Sequence, residues 1–300
     1  MRYFLSLLIS FTLFASTETA VDTLYKDTLR SLSTLLREVD MALGDSNKTD
    51  IKQRFNIRTA LSVISESRKG TKFKLSVKAN LSLPRTQKRI NLFLSDYRRS
   101  DSIDENTNDT LTDTIKNTSF LLGLQYMTKH NLRYKAGIRF RNISPDPFVA
   151  VEWEDTSYIS SKSWIYYGDR LYYYSKNRLD NQLFVNFQLR NRDKAVWSFE
   201  NSYRFEQEPD LEHQFTHTLA YYLSLGRYET LVPKIEFYFN KNSHQGYKLN
   251  YFFGGAEYES RIFRKWLFYQ ISALMIFRNE YSFKPGIRTT FTIGITFEQH

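Results

Sequence analysis

The residues best equipped for chemistry sit in two short stretches, "EPDLEHQFTH" and "NSHQG". The first sets Asp210 near His213, an acid beside a base, and the second sets Ser243 next to His244, a hydroxyl beside a base. A hydrolase needs such partners within hydrogen-bond reach and correctly aimed. Side chains this close in sequence have trouble meeting in that geometry, and neither stretch matches a catalytic motif. His213 and His217 are four positions apart, a spacing that grips zinc when both share a helix face. On a strand the same spacing spans about 13 Å, too far for one ion. The chain has no cysteine, which excludes thiolate metal sites and disulfides. No Gly-rich phosphate loop, His-Glu-x-x-His pair or nucleophile elbow occurs. The acids Asp101, Asp104, Glu105, Asp109 and Asp113 between Ser100 and Asn117 lack the fixed spacing of a calcium loop and read as a solvated surface segment. We expect no catalytic residue, no metal and no cofactor.

The elements that carry the charges are more telling. In "LRYKAGIRFR", Arg133, Lys135, Arg139 and Arg141 share one parity, and Leu132, Tyr134, Ala136, Ile138 and Phe140 the other. "KFKLSVKANLSL" sets Phe73, Leu75, Val77, Ala79, Leu81 and Leu83 against Lys74, Ser76, Lys78, Asn80 and Ser82. The last segment, from Phe283 to Phe297, sets Ile287, Phe291, Ile293 and Ile295 against Lys284, Gly286, Arg288 and Gly294. Successive side chains of a strand point to opposite faces, so each segment is a strand with one apolar and one polar face. Such segments recur from residue 51 to the end, about fourteen in all, or twelve to sixteen if one is split or merged. Short connections ("PRTQK", "KHN", "NRDK", "GRYE") alternate with segments that read as longer loops ("SDSIDENTNDTLTDTIKN", "YSKNRLD", "EQEPDLEH", "NKNSHQG").

A soluble sandwich or a membrane-spanning barrel would each produce this alternation. Three features favour the barrel. The strands outlast the usual globular range and match the roughly 9–11 residues a tilted strand needs to cross a bilayer. Aromatic residues such as Phe120, Tyr126, Trp153, Tyr167, Trp197 and Tyr221 fall near strand ends, where interface girdles belong. Finally, "MRYFLSLLISFTLFASTETA" reads as a secretory signal over residues 1–20, with Arg2 ahead of an apolar run from Phe4 to Ala15. The fold class expected is all-β: a transmembrane antiparallel β-barrel over 51–300, preceded by the signal and by an amphipathic helix with its linker over 21–50. In that helix Tyr25, Leu29, Leu32, Leu36, Val39 and Leu43 form a heptad seam. The seam suits packing on the barrel, a plug in the lumen, or a periplasmic coiled coil over 21–44 that joins subunits into a homo-oligomer.

On these alternating segments the chain resembles the outer-membrane β-barrel proteins of Gram-negative bacteria, a likeness of pattern over residues 51–300 that points to no named subfamily. In that family the final strand usually ends in an aromatic residue read by the assembly machinery. Phe297 looks like this signal, although Glu298, Gln299 and His300 follow it. The resemblance implies a bacterial outer-membrane location, with lipids, lipopolysaccharide and the barrel assembly machinery as partners. Parity puts Arg58, Lys74, Lys78, Lys135, Arg139, Arg141, Arg170, Arg190, Arg204, Lys234, Lys248, Lys284 and Arg288 on the inner face. The inward acids read as fewer: Glu152, Glu154, Glu200 and Glu236. With a net charge of +10, the expected function is passive diffusion of small solutes, with a basic lining that favours anions. Basic residues dispersed along alternating positions of an exported chain do not suggest nucleic-acid binding. The alternatives are an outer-membrane lipid hydrolase or surface protease, using the histidines above, and a structural or adhesive surface barrel.

Overall fold

In the computed structural model, the described residues are 18–43, 54–83, 89–97, 119–141, 144–176, 178–207, 211–242, 245–261 and 264–299. The signal expected over 1–20 falls almost wholly outside them, as do the acidic segment 100–117 and Asp210, Ser243 and His244. One helix, α1 (Glu18–Leu43), precedes fourteen strands. These are β1 (Phe55–Glu66), β2 (Gly70–Ser82), β3 (Ile90–Tyr97), β4 (Ser119–Met127), β5 (Leu132–Arg141), β6 (Ser144–Tyr158) and β7 (Ser163–Tyr174). They continue as β8 (Arg178–Arg192), β9 (Ala195–Glu206), β10 (Glu212–Ser224), β11 (Glu229–Asn242), β12 (Gln245–Arg261), β13 (Leu267–Arg278) and β14 (Pro285–Gln299). Each strand pairs antiparallel with its sequence neighbours, and β14 returns to β1 over the full register from Phe55↔Gln299 to Glu66↔Arg288. The sheet therefore has no free edge.

The two ends differ as expected, but less than expected. The end holding the C-terminus, here the turn end, carries the connections 83–89, 128–131, 159–162, 193–194, 225–228 and 262–266. The loop end carries the long connection 98–118, yet 175–177, 207–211 and 243–244 are brief. The strands extend into residues that the sequence assigned to loops, because Leu179 and His213 continue the outward parity of β8 and β10. At the turn between β4 and β5, Asn131 adopts φ 58°, a left-handed conformation that asparagine tolerates better than most residues.

The registers assign each face. Ile287, Phe291, Val149, Val185, Leu219, Ile235, Phe237, Ile271 and Met275 point outward and are exposed, 61% in the case of Ile287. An apolar belt of this extent around a closed barrel is a lipid-facing surface, since in water it would be a large exposed patch. Aromatic girdles border it: Trp197 meets Tyr221 (ring centroids 4.5 Å apart) and Trp153 meets Tyr167 (5.4 Å) toward the turn end, while Tyr203 meets Phe215 (4.8 Å) toward the loop end. No described helix is long and apolar enough to cross a membrane.

The helix lies against the rim at the turn end. Tyr25 is sandwiched between Trp266 (4.7 Å) and Phe297 (5.1 Å), both nearly parallel to it, and its hydroxyl donates to the Thr296 carbonyl at 3.3 Å. Arg264 pairs with Asp22 at 2.7 Å, and Ser33 Oγ donates to Gln299 Oε1 at 2.6 Å. Asp22, Tyr25, Leu29, Leu32 and Leu36 are at least partly covered, whereas Arg30, Ser31, Thr34 and Leu35 are exposed. The first part of the heptad seam is thus turned toward the barrel of its own chain.

Candidate functional site

The inner face of the wall is where solute and protein meet, and its charges are unevenly arranged. From β5 to β9 most of the described inward cations reach an acid one strand away. Arg133 and Lys135 reach Glu152 at 3.2 and 2.6 Å, and Arg170 reaches Glu154 at 2.9 Å, with Arg133 on the same carboxylate. Tyr166 donates its hydroxyl to Glu154 at 2.7 Å, and Tyr172 donates to Glu152. Arg139, only 1% exposed, pairs with Asp146 and stacks 3.8 Å from the centre of the Tyr174 ring. Ser175 Oγ and the Lys176 amide also donate to Asp146, at 2.8 and 3.0 Å. Arg204 pairs with Asp180. These geometries follow from register: Arg133↔Glu152 and Arg139↔Asp146 are directly opposed across β5–β6, and Glu152↔Arg170 across β6–β7. Arg133 and Glu154 also line a cavity of about 300 Å³ at the turn end, together with Met127, Asn131, Thr156 and Tyr166.

The wall from β13 through β14 and β1 to β2 is different. Its inward charges are Arg278, Arg288, Arg58, Lys72, Lys74 and Lys78, against Glu66 and, at the rim, Glu298. Near the loop end Glu66 accepts from Arg278 Nε at 2.6 Å, from a second Arg278 nitrogen at 3.0 Å and from Arg288 at 3.0 Å. Lower down, Arg58 reaches across to Glu259 on β12 at 3.0 Å and lies 3.8 Å above the Phe268 ring. The far edge of that ring covers Gly294, where an added Cβ would sit 2.3 Å from Cζ. Arg58 and Lys78 face each other directly in register, a like-charge pair. Lys78 is exposed to the lumen and has no carboxylate partner among the described residues. Two apolar clusters also point inward: Phe93, Leu121, Phe148, Ala150 and Tyr174, and Tyr238, Tyr251, Phe253, Leu274 and Ile276.

The structure departs from the sequence reading at several positions. Lys284, expected on the inner face of the last strand, is exposed in the turn before β14, which starts at Pro285. The chain reaches that turn through positive φ at Ser282 and Phe283, so the strand parity does not extend to Lys284. Inward acids are more numerous than expected, with Glu66, Asp146, Asp180, Glu206, Glu257 and Glu259 added to Glu152, Glu154, Glu200 and Glu236. Each of the added acids has inward parity within its strand, a signal that becomes usable only once the strand bounds are known. Glu200 accepts from Ser198 and Tyr222, and Glu236 from Thr218 and Tyr251. Lys234 pairs with Glu257 at 2.8 Å, and Arg190 is exposed beside Trp164. Lys248 is exposed beyond a register shift in β11–β12, and Arg141 ends β5 opposite Ser144. Phe297 faces outward at the turn end, under Tyr25. His213 and His217 point outward from β10 and bond Tyr203 and Asn201, each at 2.8 Å. Among the described residues no group of three or more His, Cys, Asp or Glu could hold a metal.

An even-stranded antiparallel barrel with an apolar outside and a charged inside is a transmembrane β-barrel of the bacterial outer membrane. No family model and no curated protein matches the chain. Among solved structures it is similar to the outer membrane channel DcaP of Acinetobacter baumannii, at 8% identity, covering 85% of this chain and 99% of that one with a TM-score of 0.48. It is also similar to OmpT, an outer membrane protein of Vibrio cholerae (10% identity, 82% and 99% covered, TM-score 0.43). A third is the KdgM porin (10% identity, 80% and 99% covered, TM-score 0.38).

Proposed function

We propose that the barrel is a passive diffusion channel for small solutes and that its lumen favours anions. The observation that carries this reading is the excess of cations on the β13–β14–β1–β2 wall. Arg278 and Arg288 stand near the loop end, Lys74 lies opposite Ser62, and Lys78 and Arg58 lie nearer the turn end. Lys74 and Lys78 are about 13 Å apart along their strand. An anion leaving one positive group therefore meets the next within about two Debye lengths at physiological salt, roughly 8 Å each. Low-dielectric walls lined with one sign of charge concentrate counter-ions and exclude co-ions. On the opposite wall most guanidinium and ammonium groups are held by carboxylates, Arg190 beside Trp164 excepted. The two inward aromatic clusters narrow the path, which suits small solutes.

The test is a planar-bilayer recording of the purified chain under a potassium chloride gradient. We expect a reversal potential of the sign set by chloride, moving toward cation selectivity in Lys74→Glu/Lys78→Glu. Cation selectivity in the unaltered protein, or no conductance at all, rejects the proposal.

A further inference from the structure

The outer face carries polar groups where hydrocarbon should be, and only on one side. On β7 Asp169 points outward, opposite the exposed Trp153 and Leu183, and Asn181 Nδ2 donates to its Oδ1 at 2.5 Å. On β9 and β10 Asn201 and His217 point outward as a registered pair, between the exposed Val185 and Phe237, with Nδ1 and Oδ1 2.8 Å apart. Both groups lie between the girdles: Asp169 follows Tyr167 and precedes Tyr173 on its strand, and Asn201 lies between Trp197 and Tyr203. Elsewhere among the described residues the outward belt is mostly apolar, aromatic, threonine or small, as at Leu122 and Leu124 on β4, Ile235 on β11 and Met275 on β13, with Asp155 and His213 facing outward nearer the strand ends. Ionisable side chains on a lipid face are costly, and at membrane depth they find partners. Asp169 keeps one carboxylate oxygen, and His217 its Nε2, without a hydrogen bond among the described residues.

We infer that the β7–β10 face is a dimer interface with a second copy of this chain, related by a two-fold axis along the membrane normal between β8 and β9. Such an axis exchanges β7 with β10, so it sets the Asp169 carboxylate of one copy against the His217 imidazole of the other, twice. The contact is self-complementary, as a two-fold interface requires. With Nδ1–H donating to the Asn201 carbonyl, one proton shared between Nε2 and the carboxylate completes both groups. The apolar neighbours Leu183, Val185 and Phe199 then pack around the axis instead of facing lipid.

The chain has no cysteine, so single introduced thiols report the geometry directly. Val185, on β8 opposite Asn201, lies within about one strand spacing of the axis. In vesicles at low protein density, Val185→Cys and Leu183→Cys should each give a dimer with a short bis-maleimide, and Met275→Cys on β13 should not. Adding Asp169→Ala or His217→Ala to Val185→Cys should lower the cross-linked fraction by about tenfold or more, the size of a lost charge-assisted hydrogen bond. Folding of each variant is checked independently by the heat-modifiable band of the intact barrel. Equal dimer yields at Val185 and Met275 overturn the proposal. So do yields that neither alanine changes, and so does absence of cross-linking at both β8 positions, which would leave the polar pairs to lipid or to another protein.

Discussion

Replacing Glu66 with alanine should destabilise the barrel strongly. The carboxylate is 5% exposed and holds two guanidiniums that are 3% and 11% exposed, through contacts of 2.6, 3.0 and 3.0 Å. These three residues lie on β1, β13 and β14, so the cluster staples the seam where the first and last strands meet. Removing the acid takes away the carboxylate that two largely buried cations share, leaving Arg278 with Glu280 at 3.9 Å; breaking a buried ion cluster in this way costs about 3–5 kcal/mol. At 1.4 kcal/mol per factor of ten, the folded-to-unfolded ratio should fall by about two to four powers of ten. The assay is guanidinium-driven unfolding in lipid vesicles, followed by the fluorescence of the four tryptophans. A control separates lost charge compensation from lost volume: Glu66→Leu combined with Arg278→Met and Arg288→Met should recover most of the stability, because a packed apolar cluster replaces a buried ion cluster at little cost. A Glu66→Ala barrel that unfolds within about 1 kcal/mol of the parent would refute the reasoning, since exposed pairs are worth up to about that much. The same variant should raise anion selectivity, as it removes a negative charge from the basic wall.

Two further outcomes follow from close contacts. Tyr25→Ala removes two stacked ring contacts and one hydrogen bond, worth about 1.5–4.5 kcal/mol together. Limited proteolysis should then cut α1 while the barrel stays resistant; equal resistance in both proteins would mean that the helix is held by its other contacts. Gly137→Val should abolish folding, because the added Cβ would fall 2.1 Å from the Leu122 carbonyl oxygen and 2.7 Å from the Gly123 Cα across the β4–β5 pair. A normal yield of heat-modifiable barrel from that variant would show that the two strands can part.

Alternation with a period of two is a local property, and it made most of the barrel readable from the chain alone. The strand count, the outward belt and the inward positions of Arg58, Lys78, Arg139 and Arg288 all follow from which side of a pleat each residue occupies. Parity says nothing about which inward residue meets which. Glu66 meets Arg278 and Arg288 across more than 200 positions because the barrel closes in one register, and no local pattern carries that number. Lys284 shows the converse: its parity was inward, but a turn with two positive-φ residues interrupted the strand before it. The heptad seam of α1 was equally legible, yet its partner was not, because Leu, Tyr and Val pack as well on Trp266 and Phe297 as on another helix. The outward placement of Asp169 and His217 follows from parity too. Only the tertiary structure places them on either side of β8 and β9, because lateral position around a barrel exists only once every strand has found its neighbour.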